Sequence, residues 1–148
     1  MRRRVSSGWE LVQIQRRLDE LLGMLAAPVE AANRGWAPTV DLLQQESRYV
    51  VRADLPGVDP SELVITLREQ ELRLAGRKLP DAETSQHRRC HQMERGFGTF
   101  AVEVALPGPV EPHGSTARLH DGVLEISLPR LVERRSSVYT IPVLDEGP

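Results

Sequence analysis

The sequence predicts an antiparallel β-sandwich, preceded by a helical arm and followed by a polar tail. Three observations carry this prediction. Apolar residues recur with period two from Pro38 onward, and glycine and proline signals cut that stretch into short runs. Aromatics make up only 4% of the 148 residues, so aliphatic side chains must build the core. Seven or eight short strands at this spacing fit two packed antiparallel sheets, and the length suits one domain with modest extensions.

The arm, residues 1–37, has helical period instead. Trp9, Leu11, Ile14, Leu18, Leu21, Leu22 and Leu25 recur at three- and four-residue steps, with Gln13, Arg16, Arg17, Asp19 and Glu20 between them. Ser6 or Ser7 is placed to cap the start, and Pro28 stops the pattern. One such helix is marginal alone, so its stripe needs a surface: its own domain, another subunit or a client.

The sandwich occupies residues 38–129. Thr39-Val40-Asp41-Leu42 opens it; Tyr49, Val51, Ala53 and Leu55 then alternate with Val50, Arg52 and Asp54, up to the turn at Pro56-Gly57. Leu63, Ile65 and Leu67 lead through Glu69-Gln70 into Leu72, Leu74 and Gly76, a hairpin whose turn residues are poor formers of the primed types. Residues 79–92 are a long polar interruption, of the kind that is usually disordered or functional inside a small β domain. Phe100, Val102, Val104 and Leu106, alternating with Ala101, Glu103 and Ala105, make the cleanest strand, ended by Pro107-Gly108-Pro109. Asp121-Gly122 between Thr116–His120 and Val123–Leu128 is the strongest hairpin signal, because that pair suits the positive φ angles of a type I′ turn. Pro129 closes the domain. The tail, residues 130–148, holds one apolar island, Val138–Leu144.

Composition argues against several functions. A formal charge of -2 gives no electrostatic reason to expect a nucleic-acid partner. No apolar run reaches the roughly 20 residues that cross a bilayer. Ser6, Ser7, Trp9, Glu10 and Gln13 spoil any secretory leader after Arg2-Arg3-Arg4, and the single cysteine, Cys90, fits a reducing compartment, so a cytoplasmic protein is expected. No serine sits in a nucleophile elbow, and no acid–base set converges at a recognised spacing, so no enzymatic activity is expected. His87, Cys90 and His91, with His113 or His120, offer zinc- or copper-type ligands at a spacing that matches no closed site; no metal and no cofactor is expected. In Ile141-Pro142-Val143, proline fixes an extended shape that lets two branched side chains enter one groove. Such a segment suits addition along a sheet edge.

Taken in order, Val40-Asp41-Leu42, Ala53-Asp54-Leu55-Pro56-Gly57-Val58, Glu94-Arg95-Gly96-Phe97-Gly98-Thr99-Phe100, Leu106-Pro107, Ala117-Arg118-Leu119-His120-Asp121-Gly122-Val123-Leu124, Leu128-Pro129 and Ile141-Pro142-Val143 resemble the small heat-shock protein, or α-crystallin, family of bacterial type. The resemblance spans roughly residues 38–143. It implies an immunoglobulin-like α-crystallin domain that dimerises by strand exchange through a loop at residues 79–95, with Cys90, His91, Gln92, Met93, Glu94 and Arg95 in the place of the exchanged strand. It also implies that the tail motif docks between two edge strands of a neighbouring subunit, making Leu63, Ile65, Leu67, Ala117 and Leu119 candidates for the groove. The implied function is ATP-independent binding of partly unfolded clients, the arm's apolar residues serving as the client-binding surface. Val102 stands where family members usually carry arginine. With so short an arm, this points to a dimer or small assembly rather than a large shell. The rival reading is a p23-like sandwich that binds one specific folded partner; such domains lack the exchange loop and tail motif.

Overall fold

In the computed structural model, residues 8–29, 33, 35–80 and 89–131 are described. Among these residues the helix α1 (Gly8–Ala26) precedes seven strands: β1 (Val40–Gln44), β2 (Arg48–Asp54), β3 (Leu63–Arg68), β4 (Glu71–Lys78), β5 (Gly98–Ala105), β6 (Thr116–His120) and β7 (Val123–Pro129). They form two antiparallel sheets, one in the order β1-β2-β7-β6 and the other β3-β4-β5. The predicted sandwich is therefore the observed one.

Its core follows the period-two pattern. Tyr49, Val51, Ala53 and Leu55 meet Leu72 and Leu74 of β4, Phe100 of β5, and Leu124, Ile126 and Leu128 of β7. Val58, Leu106 and Val110 close its ends from loops. Gly76 faces the Phe100 ring: a Cβ there would stand 2.7 Å from the ring and 2.4 Å from the Glu62 carbonyl oxygen. Packing this close leaves room for glycine alone.

The turns hold as the sequence indicates. Asp121 and Gly122 take φ of 49° and 76° and join β6 to β7 in register, His120 opposite Val123. Glu69 also takes a positive φ, 54°, despite having a side chain. The register makes it the first of two residues joining Arg68 to Glu71. A bond from the Leu106 amide to the Gln70 carbonyl, 2.7 Å, secures this turn.

The helix is a third layer. Met24, Leu25 and Val29 pack on Ala75 and Ala101, which lie on the outer face of the three-stranded sheet. These two alanines are paired in register and wholly buried, so they make a shallow seat that a helix can approach closely. No helix among the described residues is long and apolar enough to cross a membrane.

Candidate functional site

Two strand edges carry the predicted groove. β3 ends one sheet and β6 ends the other. Leu63, Ile65 and Leu67 pair with Gly76, Leu74 and Leu72, so they share the inward face. They and Leu119 are partly buried against the same core cluster. Ala117 sits opposite Ile126 but is exposed, being small and at an edge. Among the described residues no strand pairs with either edge, and the half-covered Leu63, Ile65, Leu67 and Leu119 are the kind of surface that an extended apolar segment requires. Ile141, Pro142 and Val143 lie outside the described residues.

The four-stranded sheet has its other edge at β1, where Leu42 and Leu43 are exposed. Cys90, His91, Gln92, Met93, Glu94 and Arg95 are all exposed and belong to no strand of this chain; Met93 is 74% exposed. The root of that segment is nonetheless fixed. Lys78, only 6% exposed, places its ammonium 4.9 Å from the Trp36 ring centre and 5.7 Å from that of Phe97, while the Arg95 guanidinium lies 5.2 Å from Phe97. Two aromatic faces thus offset part of the cost of burying a cation. Trp36 in turn meets Phe100 edge to face at 5.0 Å, tying the linker to the core.

The third surface is α1; of the three surfaces the sequence left open for its stripe, its own domain takes part of it. Glu62, whose side chain is buried, receives Arg77 at 3.0 Å and is also paired with Arg17 of the helix. Asp59 caps the short turn Pro60–Glu62 that delivers Glu62, accepting from the Ser61 amide at 2.8 Å and its hydroxyl at 2.6 Å. Those two bonds hold the Asp59 carboxyl below its ordinary pKa of 3.8. At the other end of the helix, Arg73 of β4 donates to the Met24 carbonyl (3.3 Å) and to that of Ala27. The last turn of α1 has no basic residue of its own, so the sheet supplies the cation its dipole favours. The available signal was the pair of outward alanines, Ala75 and Ala101, flanked by Arg73, Arg77 and Glu103.

Docking divides the predicted arm stripe. Leu25 packs on the sheet and Leu21 is half-buried, whereas Ile14, Leu18 and Leu22 remain 65%, 53% and 52% exposed. Spaced by four, these three form one ridge along the helix. The side chains of Trp9 and Leu11 lie outside the described residues.

Other candidate chemistry stays dispersed. Among the described residues no three His, Cys, Asp or Glu side chains converge on a point that could hold a metal ion. Cys90 is exposed and unpaired, and His87 lies outside the described set. His120 contacts Asp121 at 3.1 Å, both fully in solvent at the β6–β7 turn. A depression beside the β3–β4 turn is lined by Arg68, Glu69, Gln70, Glu71, Ala105 and Leu106, without a nucleophile–base pair.

Comparison with known proteins gives a consistent result. The model of the Hsp20/alpha crystallin family matches residues 41–144. Small heat shock protein C4 of Rickettsia felis is 30% identical over 114 residues, covering 77% of this chain and 69% of that protein. The 18.9 kDa heat shock protein of Oryza sativa subsp. japonica is 32% identical over 127 residues, covering 83% and 71% respectively. Among solved structures, a small heat-shock protein from Xylella fastidiosa, described as having a distinct high order structure, superposes with a TM-score of 0.60. It is 30% identical, with 75% of this chain and 99% of that one covered. The hspA of Xanthomonas axonopodis gives 0.56 at 35% identity, covering 64% and 94%.

Proposed function

This chain belongs to the Hsp20/α-crystallin family of small heat-shock proteins, and from that premise we propose that it is an ATP-independent holdase. The observation that supports this reading most is the apolar ridge Ile14–Leu18–Leu22, exposed on a chain whose sandwich core is otherwise closely packed. A partly unfolded protein presents apolar segments of its own. Covering them against the ridge lowers the free concentration of the species that aggregates, by mass action and without any chemical step. Exposed Cys90 fits action in the reducing cytoplasm.

The strand edges left unpaired among the described residues support a mode of assembly. Residues 90–95 add to the β1 edge of a second copy and so form the dimer by exchange; Leu42 and Leu43 there present the apolar side chains that a partner strand covers. Ile141 and Val143 enter the cleft between β3 and β6 of a neighbour, against Leu63, Ile65, Leu67, Ala117 and Leu119. The three regions that result are the arm at 1–37, the α-crystallin domain at 38–129 and the tail at 130–148.

The test is suppression of aggregation of a heat-labile protein without nucleotide. The parent chain should protect, and the variant combining Ile14→Gln, Leu18→Gln and Leu22→Gln should lose most protection while keeping its strand content. Failure of the parent to protect sinks the holdase reading. Equal protection by parent and variant removes the ridge from client binding.

A further inference from the structure

The segment assigned above to exchange is rooted at both ends on one aromatic ring. Lys78 ends β4, and Arg95 stands shortly before β5. Both hold their cations against Phe97, at 5.7 Å and 5.2 Å. The Lys78 ammonium also meets the Trp36 ring at 4.9 Å, and among the described residues it has no hydrogen-bond or ion-pair partner. Lys78 is only 6% exposed, so the two ring faces are what hold its charge in place. Loss of either ring sends that cation toward water and loosens the start of the segment.

Trp36 belongs to the arm, and the chain that leads to it is fastened in steps. Met24 and Leu25 pack on Ala75 and Ala101. The Asn33 backbone amide donates to the Val29 carbonyl at 3.1 Å. The Asn33 carboxamide donates to the Ala101 carbonyl at 2.8 Å and accepts from the Ala101 amide at 2.9 Å. Beyond Asn33 the linker backbone lies directly on the root of the loop. A Cβ on Gly35 would stand 2.7 Å from the Phe97 carbonyl oxygen. One on Gly96 would stand 2.9 Å from the Gly35 carbonyl oxygen and 3.2 Å from the Trp36 side chain. Glycine on both sides lets the two backbones touch. Trp36 thus meets the loop root through Lys78 and Gly96, and the core through Phe100 at 5.0 Å.

We infer that Trp36 is a positioning residue that couples the arm helix to the loop root: freeing α1 loosens the segment at 90–95, and loosening that segment frees α1. With α1 docked, the linker is held at both ends, so Trp36 stays beside Lys78 at a high local concentration. With α1 off the sheet, the ring alone must restrain a long free chain, and Lys78 loses one face whenever the ring leaves. Linkage makes the effect reciprocal. The coupling is intramolecular and stands whether or not residues 90–95 cross to a second copy. Its consequence for regulation does rest on the assembly reading. A client that draws α1 away weakens the dimer contact, so client load and subunit exchange rise together.

The experiment measures residue-resolved hydrogen exchange in the full chain at two places. One is α1; the other is Lys78 and Gly98, the pair that ends the β4–β5 ladder at the loop. Leu25→Gln, which weakens the helix seat, should speed the Lys78 and Gly98 amides by roughly fivefold or more. Gly96→Ala, which pushes on the Gly35 carbonyl, should speed the α1 amides by a similar factor, with β2 and β7 unchanged in both. Added to Trp36→Leu, Leu25→Gln should no longer alter the Lys78 and Gly98 rates. Added to Trp36→Phe, which keeps a ring for Lys78, it should still do so. The inference is overturned if Leu25→Gln leaves Lys78 and Gly98 at parent rates, or acts on them equally with and without Trp36→Leu. It is also overturned if the α1 amides ignore Gly96→Ala. Light scattering tests the assembly reading separately: a monomeric parent with the amide coupling intact sinks the strand exchange and leaves the coupling standing.

Discussion

Gly76 shows how much one position depends on the absence of a side chain. The Phe100 ring and the Glu62 carbonyl occupy the volume of its missing Cβ, and neither yields easily, one being core and the other backbone. Gly76→Ala should therefore destabilise the sandwich by about 1–3 kcal/mol, read as a lower denaturation midpoint with an unchanged slope. Asp59 is a second such position. The Ser61 hydroxyl and amide favour its charged form, so its folded pKa lies below 3.8. A depressed carboxyl contributes stability that is present above the unfolded value and is lost as pH falls through the folded one. An NMR titration should place the Asp59 midpoint below 3.8, and Ser61→Ala should move it back up. A midpoint unaffected by Ser61→Ala would show that the cap is not the cause.

At the scale of elements, α1 is held less by apolar area than by polar fastenings. Its seat is two alanines, while Arg17–Glu62 fixes its middle and Arg73 caps its end. Charge-assisted hydrogen bonds of this kind contribute about 2 kcal/mol net, equivalent to roughly a thirtyfold change in opening. Arg73→Leu should accelerate amide exchange in α1 by about that factor and leave β2 and β7 unchanged. If the α1 amides of the parent already exchange at unprotected rates, the helix does not depend on the Arg73 cap. Strand periodicity, hairpin order and the Asp121-Gly122 turn were legible because each depends on residues near in sequence. The docked helix was not, since Arg73 and Ala27 are 46 residues apart and meet only after both sheets have formed. The stripe is apolar by sequence, but which of its described members face the sheet depended on that docking.

For the whole molecule, the two walls proposed for the tail's groove, β3 and β6, lie on opposite sheets, and the proposed tail contact is tested as assembly. Ile141→Ala with Val143→Ala should lower the mass of the particle measured by light scattering while leaving the sandwich's denaturation midpoint intact. Unchanged mass would remove the tail from assembly. Val102 has a plain local account: it lies opposite Leu74 and is half-buried.

By itself, the sequence determined the two-sheet sandwich, the inward face of most of its strands and the Asp121-Gly122 turn. Alternation with period two assigns each side chain to a face before any tertiary contact exists, and the chain order of motifs fixed the family. Only the tertiary structure decided that α1 lies on β4 and β5, that Lys78 rests between Trp36 and Phe97, and that Asn33 occupies the edge at Ala101. Those facts depend on groups from distant segments meeting at one point in space, a coincidence that local periodicity cannot encode.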